Sequence, residues 1–349
     1  MIDFTGVTAI RIPEGVVTKI TRAGQILWEL VTQKALPEYH GTLTALSEAR
    51  NYPAAASVGN YALFGGGYGS AFSAAVDAYN ASLTWSKATN LSVARTYPSG
   101  ASVGDYALFG GGLDSNFADK TTVDAYNTSL TRSSPRSALS TARTFMAAAS
   151  VGNYVLFGGG SNVNGTVYNT VNAYDSSLTR SNPTTLSVAR NYLAATNFGD
   201  YALFGGGNGS NAVDAYNSSL TRTTPSGLSV ARSELSAASN SNYALFGGGT
   251  TTAVVDAYNT SLTRSSASNL TTARGNLAAT SIGDFILFGG GLNGSNAISE
   301  VTVYDTSLTK SDITALSVAR GYLNATSIGN YALFGGGGGG TTVDAYVIK

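Results

Sequence analysis

The chain has no cysteine and a single histidine, His40. The first absence excludes disulfides, thiolate chemistry and Cys-based zinc sites. The second excludes multi-histidine metal centres and leaves one imidazole as a candidate base. Charge is scarce: 11% of the 349 residues are Asp, Glu, Lys or Arg, under half the roughly 25% usual in soluble domains. The 20 acidic groups cancel the 20 basic ones, and a nucleic-acid partner, which needs a Lys/Arg surplus against phosphate, is not expected. No run approaches the ~18 consecutive apolar residues of a spanning helix, so no membrane partner is expected either. The opening Met1-Ile-Asp-Phe-Thr-Gly lacks the basic and apolar regions of a secretory signal. Calcium loops of the DxDxDG kind are missing, and no cofactor or metal is expected. With 43% hydrophobic residues, the chain nonetheless has material for a sizeable core, and low charge here does not mean disorder.

What the chain has in quantity is glycine. Half of its 42 glycines stand in seven triplets, each preceded by phenylalanine: Phe64, Phe109, Phe157, Phe204, Phe246, Phe288 and Phe334. The triplets mark a unit of 42 to 48 residues that repeats from Arg50 onward. Each unit reads as four short strands. Strand A is rich in Ala, Ser and Thr and ends in a tight turn such as Gly59-Asn60, where glycine accepts positive φ. Strand B is YALF or a variant, strand C is VDAY or a variant, and Asn80-Ala-Ser-Leu-Thr and its copies form the C–D turn. No segment has sustained 3.6-residue periodicity or helix caps. Four strands per unit at this period predict an all-β fold, a seven-bladed β-propeller with four antiparallel strands per blade.

The double glycine after a hydrophobic strand, the later tyrosine, the pre-strand arginine and Trp85 six residues after Tyr79 together resemble the Kelch repeat. The later tryptophan slots depart from it, holding Arg132, Arg180, Arg222, Arg264 and Lys310. The likeness covers residues 37–349, the expected propeller domain. The seventh unit stops after Val343-Asp-Ala-Tyr, and counting back from Arg50 puts residues 37–44 in the missing strand D slot, so an N-terminal strand is expected to close the last blade and remove two sheet edges. Residues 1–36 lie outside the repeat. They read as a β-hairpin module anchored by Trp28, and their IPEG and LW segments are similar to N-terminal modules of phage and prophage structural proteins.

In an antiparallel four-stranded blade the D–A and B–C loops share one face. The D–A slot carries Arg50, Arg95, Arg143, Arg190, Arg232, Arg274 and Arg320. A slot filled identically in seven blades reads first as architecture, with Asp77, Asp124, Asp214, Asp256 and Asp344 as matched partners and Asn172 and Thr302 as exceptions. The alternative, which the Kelch resemblance implies, is an anion site at the mouth. Two residues after the arginines stand Tyr52, Tyr97, Phe145, Tyr192 and Tyr322, with Glu234 and Asn276 breaking the series. The variable B–C segments add Tyr68, Phe72, Phe117 and Tyr168. Aromatics that stack and polar groups that bond hydroxyls make this the candidate ligand face.

The expected function is non-catalytic binding of a glycan or a protein surface, in a phage or prophage virion-associated tail, fibre or decoration role, with residues 1–36 meeting other virion proteins. The expected location is the virion or an extracellular setting reached without a signal peptide. The resemblance also admits a sugar mutarotase- or epimerase-like enzyme, for which Glu48, Glu234 and Glu300 are candidates, and a cytoplasmic interaction scaffold. Copper radical oxidases of similar fold need cysteine and several histidines, which this chain lacks.

Overall fold

A computed structural model describes residues 35–135 and 137–349 together with the backbone of 19–22 and 25–29. The chain divides into two units, Met1–Ala35 and Leu36–Lys349. In the first, Lys19–Arg22 pairs antiparallel with Gln25–Glu29 and sets Ile20 opposite Trp28. The remainder of that unit, with the anchoring role of the Trp28 side chain and the attachment module, lies outside the described residues.

The second unit contains seven four-stranded antiparallel sheets and, among the described residues, no helix. In blade 1, strands A to D are Ala54–Val58, Tyr61–Gly65, Val76–Asn80 and Trp85–Lys87. Blades 2 to 6 repeat this order along the chain. Blade 7 draws strands A to C from Asn324–Ile328, Tyr331–Gly335 and Val343–Val347 and takes Glu38–Thr42 as strand D. Tyr39 of that strand donates its hydroxyl to Asp344 Oδ1 at 2.7 Å and sets its ring edge-on to Tyr346.

Local chemistry explains the strands. Strand A alternates between the two sides of the pleat: Ala54, Ala56 and Val58 are buried between blades, while Ala55 and Ser57 line the central channel. Seven strands converge on that channel, so only Gly, Ala, Ser, Thr and Asn fit there. At the C–D turn Asn80 Oδ1 accepts the amides of Ser82 and Thr84, which holds Leu83 at φ 61°.

The cores lie between blades. One cluster joins Ala54, Leu63 and Val76 of blade 1 to Phe109 and Tyr126 of blade 2; another joins Phe64 and Tyr79 of blade 1 to Leu333 and Val343 of blade 7. The glycine triplet is the clasp at each junction. In every blade but the first, a Cβ on the triplet's first glycine would strike the strand B phenylalanine of the next blade, as Gly205 would strike Phe246 at 2.6 Å. The third glycine, at positive φ, donates its N–H to the carbonyl oxygen of the next blade's arginine. Gly67 to Arg95, Gly207 to Arg232 and Gly337 to Arg50 all measure 2.8 to 2.9 Å. The last of these joins blade 7 to blade 1, and Gly335 packs under Phe64 in the same way. Glycine here is rigid punctuation.

Candidate functional site

The arginines sit beneath the mouth. All seven are at most 4% exposed, and each Nη2 donates to the carbonyl oxygen of the phenylalanine fourteen residues later. Five also pair with the strand C aspartate of their own blade: Arg50 with Asp77, Arg95 with Asp124 (2.8 Å), Arg190 with Asp214 (2.7 Å), Arg232 with Asp256 (2.8 Å) and Arg320 with Asp344 (2.7 Å). The two exceptions find other partners. Arg274 turns to Glu300 at 2.5 Å and to Thr302 at 3.3 Å. Arg143 has the neutral amide of Asn172 at 3.0 Å, and burial lowers its guanidinium to about 10. All seven are buried within their blades, where Nε of Arg50, Arg95, Arg190, Arg232 and Arg274 and Nη1 of Arg50 and Arg190 have no hydrogen-bond partner among the described residues.

Two of the five slots that depart from the Kelch tryptophan keep the same chemistry. Trp85 donates Nε1–H to Asp77 Oδ1 at 2.8 Å; Arg132 and Arg264 donate to the equivalent oxygens of Asp124 and Asp256 at 2.9 and 3.1 Å. Arg180 and Arg222 donate instead to the Ala138 and Thr185 carbonyls, Arg222 lying 3.6 Å from Asp214, and Lys310 donates to the Thr271 hydroxyl.

Above the arginines the D–A residues form an annulus around the channel. All seven, from Tyr52 to Tyr322, hold φ between 51° and 62°. This left-handed turn points five of the seven amides at the preceding blade: Tyr52 N–H donates to Tyr322 O, Tyr322 to Asn276, Asn276 to Glu234, Glu234 to Tyr192 and Tyr192 to Phe145, at 2.8 to 3.1 Å. The side chains follow round the ring. Tyr322, Tyr52, Tyr97, Phe145 and Tyr192 make an unbroken aromatic arc with centroids 4.2 to 4.5 Å apart. Blades 5 and 6 interrupt it with Glu234, whose Oε2 accepts Asn276 Nδ2–H at 2.8 Å.

The annulus encloses a cavity of about 190 Å³ floored by the next residue of each blade, among them Pro53, Pro98, Met146 and Leu193. Burial pushes up the phenols of Tyr52, Tyr97 and Tyr192. The hydroxyls of Tyr97 and Tyr322 add to this at Tyr52, and Tyr192 reaches about 12. All three stay neutral at physiological pH. Below lies the channel proper, about 340 Å³, with a belt of small polar residues such as Ser57, Ser150 and Asn197.

The B–C aromatics form a second group. Tyr68 packs on Phe72 at 5.1 Å, and Phe72 on Phe117 of the next blade at 5.8 Å. Phe117 is 68% exposed, yet it is held in a turn whose Asp114 accepts the amides of Asn116 and Ala118 and pairs with Lys120. Tyr68 exchanges backbone hydrogen bonds with Asn51, the neighbour of Tyr52, which sets this platform beside the annulus. Tyr168 joins neither group; its hydroxyl accepts Asn162 Nδ2–H at 3.1 Å. Of the candidate glutamates, Glu48 accepts the Ser73 hydroxyl, Glu300 is tied to Arg274 and Thr272, and Glu234 alone faces the annulus cavity. His40 packs against Tyr331 on the seam strand, outside the annulus.

Sequence reasoning registered Glu234 and Asn276 as breaks in a series and missed that together they form the polar side of the ring. The signal was that both breaks fall in consecutive blades. No family model matches the chain, and no curated protein does. The solved structure of YjhT is similar to it in fold, with a TM-score of 0.61 at 13% identity over 78% of this chain and 99% of that one. YjhT is one of 1051 solved chains that match, so the likeness is one of architecture: this chain is a seven-bladed β-propeller.

Proposed function

We propose that the chain is a non-catalytic binding propeller whose annulus, with the adjoining Tyr68–Phe72–Phe117 platform, recognises a glycan. The observation that carries this reading is the broken symmetry of the ring: five contiguous aromatics facing one carboxylate–amide pair. Aromatic rings pack on the C–H faces of sugars, and Glu234 and Asn276 are suited to hydroxyl groups. A glycan array probed with the wild-type protein and with Tyr97→Ala and Tyr192→Ala is the test. Binding of a defined class, weakened at least about tenfold by either substitution with the melting temperature little changed, is the expected result. Equal binding by all three proteins would assign the ring a purely structural role.

The setting we propose is a phage or prophage particle, in a tail, fibre or decoration role, with residues 1–36 contacting other virion proteins. This rests on the similarity of residues 1–36 to phage structural modules. Mass spectrometry of purified particles from the source organism is expected to find the chain at structural stoichiometry; its absence from them would favour the scaffold reading.

A further inference from the structure

Taking the annulus as a ligand site, as above, we propose that it selects an organic ammonium group, held by Glu234 within the aromatic wall. Among the described residues lining the cavity, Glu234 bears the sole formal charge. Six of the seven guanidiniums beneath are paired with carboxylates, and the seventh, Arg143, is bonded to the Asn172 amide and the Phe157 carbonyl. The charge that a ligand meets in the cavity itself is therefore that of Glu234, which would repel uronates and other acidic sugars. The carboxylate is only half engaged. Oε2 takes Asn276 Nδ2–H and, at 3.4 Å, the Thr250 hydroxyl, while Oε1 has no donor among the described residues.

The wall and floor narrow the choice of cation. A ring attracts a cation over its face, more so where water is excluded. The end rings of the arc, Tyr192 and Tyr322, each have, among the described residues, a ring neighbour on one side only, the other side being that of Glu234 and Asn276. Glu234 acts across the ring: its charge reaches Tyr97, three blades away, as well as Tyr192. The floor of Pro53, Pro98, Met146 and Leu193 is apolar, and the oxygens of Ser99, Asn324 and the tyrosine hydroxyls that also line the cavity carry no charge to offset the dehydration of a small inorganic ion. Carbon-bound hydrogens of an alkylammonium lose little there. The ligand group is therefore an amine attached to carbon, carried by an amino sugar or by a lysine.

The test is calorimetric titration of the full chain with two nearly isosteric probes, choline and the uncharged 3,3-dimethylbutan-1-ol. We expect choline to bind at least about tenfold tighter, the preference to vanish in Glu234→Gln, and both probes to weaken in Tyr192→Ala. Melting curves check that the variants are folded. Glucosamine tetramer, its N-acetylated counterpart and Nα-acetyl-lysine methylamide then identify the source. Stronger binding of the free amino sugar assigns the ammonium to a glycan, and stronger binding of the lysine derivative assigns it to a protein. Equal binding of acetylated and free tetramers, with choline no better than the alcohol, overturns the ammonium selectivity and leaves the glycan reading standing. If none of the probes or glycans binds, both fall.

Discussion

Asp214→Ala is expected to destabilise the propeller by about 3–5 kcal/mol, since removing one partner leaves the other charge buried and unpaired. The Arg190 guanidinium would keep only its bond to the Phe204 carbonyl, in a position that is fully buried. The loss extends further, because the Asp214 carboxylate also accepts the Ser187 amide at 3.0 Å and hydroxyl at 3.1 Å and faces Arg222. Melting should fall by roughly 10 °C at this chain length. Blade 3 supplies the converse. Asn172→Asp gives Arg143 the carboxylate that five other blades provide, with the Asn182 amide turned so that it donates where it now accepts from Asn172 Nδ2 at 2.7 Å. A gain of about 1–2 kcal/mol is expected, the range for a hydrogen bond to a charged group. Differential scanning calorimetry of both variants checks the pair. An unchanged midpoint for Asp214→Ala, or a lower one for Asn172→Asp, would move the energetic weight of the ring from these pairs to the packing around them.

The two exceptional blades show how much could be read before the structure. The aspartate partners were legible because slot and partner repeat at matched positions. Glu300 was not, because it reaches Arg274 from a B–C loop that varies in length and has no counterpart in other blades. It looked available for sugar chemistry for the same reason. The Trp85 slot illustrates the opposite limit: arginine in place of tryptophan reads as a departure, yet both put an N–H on the same carboxylate oxygen. Blades 2 and 5 keep the donor where letters alone suggest divergence.

The site was legible in its composition and illegible in its arrangement. Tyr52, Tyr97, Phe145, Tyr192 and Tyr322 were visible as a series, but their left-handed backbone, which turns them into a ring, follows from no residue preference, since tyrosine and phenylalanine rarely adopt it. Contacts between neighbouring loops, such as Phe72 on Phe117, depend on loop paths that length alone does not determine. Tyr168, from an equally long loop, ends apart from both groups.

Deleting residues 37–42 is expected to be comparably damaging, and for a reason that belongs to the ring as a whole. The seam strand Glu38–Thr42 pairs with Val343–Val347 and sets Tyr39 against Asp344 and Tyr346. Its loss removes several backbone hydrogen bonds at about 1 kcal/mol each and the burial of Tyr39, about 5 kcal/mol in all when side-chain burial is counted at roughly 1.5–3 kcal/mol. It also strips the strand C edge of blade 7, whose Asp344 holds Arg320 at 2.7 Å. An uncovered edge is a template for pairing with another copy, so the deleted protein should melt roughly 10 °C lower and elute in part as a dimer. A synthetic peptide of residues 35–46, added in excess, should occupy the vacated edge and restore both the midpoint and the monomer. The blade 7–blade 1 clasp, Gly337 to Arg50 and Gly335 to Phe64, remains in the deleted chain, so this rescue isolates the contribution of the strand from that of the glycines. Melting that is indifferent to the deletion would mean that the glycine clasp alone closes the ring.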